Sequence, residues 1–546
     1  MRRSAALALL AMLLSWNLTY PSAVRADDDW AKNDPAAKLK TATPIKHLVV
    51  IFDENNSFDH YFGTYPHALN LTGETSKFYP APDTPQINGL TPTLLTNNPN
   101  LLSGGSNPFR LAPSQAATCN NSNAYTAEQE AFDGGLLDKF SATATTKPCG
   151  FFLPTPPQLL SMGYYDGNTV TALWNYAQHF SLSDNFFDTE FGVTVAGHMN
   201  LLSGQTNGLI VKAGAPVSHS VIANGSIIAN VQPYYDDCAA GATPNVVMTG
   251  RNVGDLLNAA GVSWGWFYGD FGAVSITNTG GTPIATCTSI YNSHYAPFDY
   301  YQSTSNPHHI PPASLAAIGT DTCANQMCAN HNYDLAEFFQ ALGAGNLPAV
   351  TYLKFAENDT GHPADSTPLL EQTSLVNAIN AIEESPFWGD TAIIITYDDT
   401  GGWYDHVAAP IVNFSQDPTN DAISGNPATS TGSCGKPGPG VVITIQDRCG
   451  FGVRMPFLLI SPYAKRNFVD HSLNDTTSVL RFIEYNWGLG TIGDPQSFDV
   501  LASGTIVGMF DFDDNHGEDR AADSRKLILA PTTGEAVGPE FGGPWH

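Results

Sequence analysis

Carboxylates and amides gather at three points of the sequence, each just beyond a short apolar run. The run from His47 to Phe52 leads into Asp53, Glu54, Asn55, Asn56 and Ser57. The run ending Ile395, Thr396, Tyr397 leads into Asp398 and Asp399, then Gly401 and Gly402. Residues Ala349 to Phe355 are followed by Glu357 and, after a short loop, His362 and Pro363. Carboxylate and amide oxygens converging at one place suit a hard divalent cation. Adjacent acids such as Asp398 and Asp399 repel each other unless a cation or proton sits between them. Taken singly, Asp and Asn after strands also serve as turn formers and helix caps. Three strands that each end in ligand types are harder to explain that way.

Thr194 is the second feature. Gly192 and Gly197 bracket it, and a helix is expected to begin at Met199 to Leu202. A hydroxyl at a helix start faces free backbone N–H groups and the positive end of the dipole, a natural place for phosphate. With a metal on its oxygen, threonine becomes a competent nucleophile at ordinary pH. A plain N-cap is the alternative.

These residues need a scaffold that brings strand ends together. Apolar spacing predicts helices over 168–180, 252–260, 333–342, 371–384 and 476–487. Strands are expected at 47–52, 262–268, 349–355, 391–397 and 457–461. Their alternation implies an α/β fold, a mainly parallel sheet sandwiched by helices. Ligands in such sheets sit beyond the carboxyl ends of the strands. Residues 64–165 and 412–453, rich in Gly, Pro, Asn and Ser, read as two long loop insertions, the first an excursion over the surface.

The 546 residues are 42% hydrophobic and only 14% charged, too apolar for a disordered chain. Net charge is −28, which opposes a general role on nucleic acid. Arg2 and Arg3, the apolar stretch to Trp16 and the small residues around Ala26 form a secretory signal, so residues 1–26 are expected to be removed and 27–546 to form a single domain. No later segment is long and apolar enough for stable membrane insertion. The expected location is secreted or periplasmic. Eight cysteines fit four disulfides, with Cys434–Cys449 and Cys119–Cys149 as close pairs that would staple loops. No CxxC pair points to zinc.

The run Glu54, Asn55, Asn56, Ser57, Phe58, Asp59, His60, Tyr61, Phe62, Gly63 resembles the E-N-R-S-F-D-H-Y-F-G signature of the bacterial phosphoesterase family, which contains phospholipases C and acid phosphatases. Further matches are Asp184 to Phe187, Thr194, Asn306 to His309, His362–Pro363, Thr396 to Asp399 with Gly401 to Val407, Val469 to His471, and Ser478 to Glu484. The resemblance runs from about residue 45 to 512 and implies an alkaline-phosphatase-like core with long insertions. It implies one divalent metal ion of unknown identity, held by Glu54, Asn55, Asp398, Asp399 and the Thr194 hydroxyl. His308, His309 and His362 resemble the family's phosphate contacts and leaving-group donors, although His308 and His309 read equally well as loop residues. His198 reads as a surface residue, and His60, His406 and His471 as structural histidines. Asn56 replaces the usual arginine, which bears on phosphate affinity.

The implied chemistry is attack by Thr194 on phosphorus, a phosphothreonine intermediate, and protonation of the leaving oxygen by His362. Amides near 195–200 would steady the transition state. The substrate is expected to be a small phosphate ester or a phospholipid. The large phospholipases C of the family carry further C-terminal domains, and the chain ends at His546 soon after the core. With the acidic charge, that tilts the expectation towards a monoesterase resembling acid phosphatases; a phospholipase C is the alternative, and a non-catalytic secreted phosphate-ligand-binding protein the second. No formylglycine motif of the sulfatases occurs at any cysteine.

Overall fold

The computed structural model describes residues 34–143, 160–213, 218, 221–239, 245–279, 282–288, 290–323, 325–423, 433–435, 440, 443–493, 497–501, 504–512 and 525–537. The expected signal segment and Cys149 lie outside them. The eight strands of the central sheet are β1 (His47–Asp53), β2 (Ser181–Ser183), β3 (Trp264–Tyr268), β4 (Asn332–Asp334), β5 (Val350–Lys354), β6 (Thr391–Tyr397), β7 (Phe457–Ile460) and β8 (Phe468–Asp470). Their spatial order is β4-β3-β5-β1-β6-β7-β2-β8. Only β7 runs against its neighbours. Every residue of β1 and β6 is buried, so both faces of the sheet are covered. Such strands read as continuous apolar runs, which is why the sequence showed them clearly.

Register sets the site. Ile51 lies opposite Leu353 on one side and Ile395 on the other. The carboxyl ends of β5, β1 and β6 therefore finish level, and Lys354, Glu54 and Asp398 emerge side by side.

The helices used here are α1 (Tyr125–Phe132), α2 (Thr171–His179), α3 (Thr194–Ser203), α4 (Val253–Ala260), α5 (Leu335–Gly343), α6 (Pro368–Glu383) and α7 (Thr477–Trp487). Several differ from expectation for local reasons. Residues 332–334 pair with β3, and Asp334 then caps α5 by accepting from the Ala336 amide, so the helix starts at Leu335. Pro368 at the first position and the Thr367 cap start α6 three residues early. The helix expected from Met199 begins at Thr194 itself. Gly197 hides it, because glycine is a poor helix former. A Cβ at Gly197 would lie 1.9 Å from the Asp398 carbonyl oxygen, so α3 is pressed directly onto the loop after β6. The three-residue strands β2 and β8 are too short to give a pattern.

The excursion at 64–165 is not confined to the surface. It carries α1 and buries Asn121, Asn123, Tyr125 and Glu128. Its Phe132 and Phe140 join Phe191, Tyr404 and Phe451 in a second apolar cluster. Disulfides link Cys238–Cys287, Cys323–Cys328 and Cys434–Cys449. Among the described residues no helix is long and apolar enough to cross a membrane.

Replacing Gly197 by alanine is expected to cost about 1–3 kcal/mol through overpacking. A urea melt checks this; an unchanged midpoint would show that α3 does not press on the Asp398 backbone.

Candidate active site

Beyond the level strand ends, backbone bonds fasten the loops after β1 and β6 together. Asn55 adopts a left-handed conformation, φ 57°, which asparagine tolerates better than most residues. Its amide donates to Asp398 Oδ1 at 3.1 Å, and the Asp399 amide donates to the same oxygen at 2.8 Å. The Asn56 amide donates to the Asp399 carbonyl at 3.0 Å. Gly401, at φ 61°, turns the chain where a side chain would strike the Asn55 carbonyl at 2.7 Å.

Glu54, Asn55, Asp398, Asp399 and Thr194 are all at most 3% exposed. The Asn55 amide can be placed in two ways. In one, its oxygen lies 2.8 Å from Glu54 Oε2 and 3.1 Å from Asp398 Oδ1; in the other its nitrogen donates to both, and His362 Nε2 donates to its oxygen at 3.2 Å. In the first placement a divalent cation would satisfy the converging oxygens of Glu54, Asn55 and Asp398; in the second the hydrogen bonds do so. Asp398 Oδ2 receives no hydrogen bond, whereas Glu54 Oε1 lies against the Lys354 ammonium. The donor set therefore fits the expected metal. Asp399 is turned slightly away: its Oδ2 accepts from Asn123 Nδ2 at 2.9 Å and from Thr194 Oγ1 at 3.4 Å. The five expected ligands thus form two adjoining groups, Glu54–Asn55–Asp398 and Asp399–Thr194.

A model of the phosphoesterase family matches residues 45–490. The chain belongs to the phosphoesterase family. It is a phosphoric ester hydrolase. Phospholipase C A of Mycobacterium tuberculosis is 26% identical over 478 residues, 83% of this chain and 77% of that protein. The non-hemolytic phospholipase C of Pseudomonas aeruginosa is 23% identical over 82% of this chain and 54% of its own length. Among solved structures, a Vibrio parahaemolyticus protein in the alkaline phosphatase superfamily matches at 10% identity and a TM-score of 0.29, over 75% of this chain and 79% of that one.

The histidines of this phosphoesterase divide differently from expectation. His362 stands at the site; its Nδ1 faces the Pro363 carbonyl at 2.7 Å and Asp365 at 3.2 Å, so Nε2 is the atom turned to Asn55. His308 and His309 instead pair with Asp237 at 2.8 Å and Asp236 at 3.1 Å. The His309 ring stacks on Phe271 and meets Tyr291 edge-on, so it supports the loop that carries His294. His294, missed in the sequence, has Lys354, Asp398 and His362 as electrostatic neighbours; burial, then the Lys354 charge, hold its pKa down to about 3. Gln232 donates to its Nδ1 at 3.4 Å, leaving the proton on Nε2. His198 is fully buried rather than on the surface, with Nδ1 on the Thr194 carbonyl at 2.9 Å. It was expected at the surface because it follows the nucleophile loop outside the family's matched motifs, but α3 is buried along its whole length. His60 stacks on Trp403 and bonds Gly163, and His406 pairs with Asp59, both structural as expected. His471 bonds Asp184, with its side chain 65% exposed.

The first-turn amides of α3 are not free. Val195 donates to Asn230 Oδ1 at 3.2 Å, and Ala196 and Gly197 to the Val193 carbonyl. Lys354 and Asn123 were also missed. Lys354 sits inside a strand-like run, and Asn123 in the excursion.

Repulsion dominates the electrostatics. Burial, then Asp398, push the Glu54 carboxyl well above the usual range; burial, Asp398, Glu128 and Glu54 do the same to Asp399. Two other groups of converging ligand types are already filled. Arg454 bridges Asp59 and Asp405 beside His406, and Cys238 and Cys287 beside His309 form a disulfide.

Below the site, Glu371 accepts from Tyr61 at 2.6 Å and Tyr397 at 2.5 Å, yet burial raises its pKa from 4.5 to about 8. Below pH 4.5 the group is protonated in folded and unfolded chains alike. As the pH rises towards 8 the unfolded chain ionises freely while the folded one holds its proton, so stability is lost across that window. Glu371→Gln is expected to flatten the fall in stability between pH 4.5 and 8, read from chemical melts; an unchanged slope would contradict this.

Proposed function

We propose that this phosphoesterase cleaves phosphodiesters of the phospholipid type, with Thr194 as nucleophile. The observation that carries the reading is the Thr194 hydroxyl at the helix start, 3.4 Å from Oδ2 of Asp399, whose neighbour Asp398 meets Glu54 and Asn55. These five residues would hold a divalent metal. Bound there, it would supply Lewis-acid activation of the hydroxyl and neutralise phosphoryl charge.

The chain's own residues then do the following. Thr194 Oγ1 attacks phosphorus in line and passes its proton to Asp399 Oδ2, the nearest carboxylate oxygen. The phosphorus–oxygen bond to the leaving alcohol breaks, and His362 Nε2 gives that oxygen a proton. His294 Nε2–H, held neutral, donates to a phosphoryl oxygen without adding charge. Water attacks the phosphothreonine and His362 takes the water's proton; the phosphorus–Oγ1 bond breaks, Asp399 returns its proton to Thr194 Oγ1, and the phosphorylated head group leaves.

Charge favours a diester over the monoester. A phosphomonoester carries close to two negative charges at neutral pH and a diester one. Among the described residues the cationic side chain against Glu54 and Asp398 is Lys354. Asn56, standing where the family has arginine, spends its amide on the Glu54 carbonyl at 2.8 Å. The phospholipases C among the relatives support the same direction. The disulfides and the N-terminal sequence support export.

Purified protein is expected to turn over p-nitrophenyl phosphorylcholine faster than p-nitrophenyl phosphate. Thr194→Ala and chelation should each lower that rate by at least about 10³-fold. A reversed substrate preference would assign an acid-phosphatase-like monoesterase, and full activity in Thr194→Ala would exclude this site. His362→Ala should slow the first, phosphothreonine-forming step by about 10²–10⁴-fold for a substrate with an alkyl leaving group and far less for p-nitrophenyl esters, read from single-turnover rates, since nitrophenolate leaves unprotonated. Equal losses on both would remove His362 as the acid.

A further inference from the structure

Lys354 is the last residue of β5, and its backbone is fixed by pairing with Tyr268 of β3. Its side chain is fully buried. The ammonium contacts Glu54 Oε1, lies 3.7 Å from Asp398 Oδ2 and donates to the Asp53 carbonyl at 3.4 Å. The rings of Tyr295, at 4.7 Å, and Phe52, at 5.6 Å, flank it. Asp398 Oδ2 receives no hydrogen bond, and Lys354 is the counter-charge that lies against both carboxylates. An amine this dehydrated is stable only beside fixed negative charge.

We propose that Lys354 is the resident cation of the metal site, a positioning residue that neutralises Glu54 and Asp398 whenever no metal is bound and sets the site's preference for a divalent ion. The inference rests on the metal reading above. Glu54, Asp398 and Asp399 bring three negative charges when ionised; Lys354 supplies one positive charge and a divalent ion two, so the loaded shell is neutral. Lys354 faces Glu54 Oε1 and Asp398 Oδ2, and the oxygens that would hold the metal are Glu54 Oε2 and Asp398 Oδ1. They share the attraction and repel each other. The metal-free protein keeps its strand ends together, but metal binds less tightly than three bare carboxylates would allow.

A purely structural lysine would leave metal affinity unchanged on removal, and one that only shapes the ligands would weaken it. The resident-cation role predicts the opposite sign. Chelator-treated full-length wild type and Lys354→Met are titrated with Mn²⁺ and Ca²⁺ by calorimetry, and melted with and without each ion. Lys354→Met should bind at least about tenfold more tightly and gain more melting temperature on adding metal. Equal or weaker binding by the variant, with wild type binding normally, overturns the role of Lys354 alone. Failure of wild type to bind either ion overturns the metal reading and this proposal with it. If Lys354→Met folds only with metal, the proposal is supported. If it stays unfolded even then, the Glu54→Gln/Lys354→Met double variant decides. Recovery of a cooperative melt supports charge neutralisation, whereas failure shows that packing of the lysine stem is what matters, and overturns it.

Discussion

Negative charge buried at the carboxyl edge of the sheet is the constraint on which this structure turns. Glu54, Asp398 and Asp399 are each fully buried, with Asp53, Glu128 and Asp188 close by. Burying an isolated carboxylate costs several kcal/mol even after relaxation. The fold meets that cost locally. Backbone amides of Asn55 and Asp399 point at Asp398, Asn123 and Thr194 donate to Asp399, and Lys354 lies against Glu54. What remains unsatisfied is Asp398 Oδ2, the part that the proposed cation would complete.

The surrounding architecture follows from holding those charges in place. A parallel sheet brings three strand ends level without any of them leaving the core. α3 can deliver Thr194 to Asp399 only because Gly197 lets its backbone meet the Asp398 loop. The excursion supplies Asn123 to Asp399 and, through Glu128, ties Thr400 at 2.6 Å to the Gly192 amide at 3.1 Å. Arg454 holds Asp59 and Asp405, and so joins the first signature motif to the segment after β6. The signature residues are thus largely scaffold, and the residues proposed for the chemistry sit at their ends.

The long buried strands were legible because interior strands of a parallel sheet must be apolar along their whole length, and their terminal acids stood out against that background. Thr194 was legible as a helix start, though Gly197 obscured where the helix began. Other residues had no local signal. His294 enters from a short 3-10 turn, Ser293–Tyr295, outside the central sheet. His308 and His309 match a motif, yet tertiary packing gives them to Asp237 and Asp236. Lys354 was read as part of a strand; a lone lysine closing an otherwise apolar run, level with acids on the neighbouring strands, was the available clue. The polarity of 64–165 suggested solvent, but its asparagines and Glu128 find partners inside the protein.

The central proposal is that one divalent ion would be shared at the edge of this sheet by both carboxylate groups and the nucleophile. An anomalous-scattering map from crystals grown with Mn²⁺ tests it most directly. The account predicts a peak within about 2.0–2.4 Å of oxygens from Glu54, Asn55, Asp398, Asp399 and Thr194. A peak at Asp59, Asp405 and His406 instead, or none at the sheet edge, would contradict it.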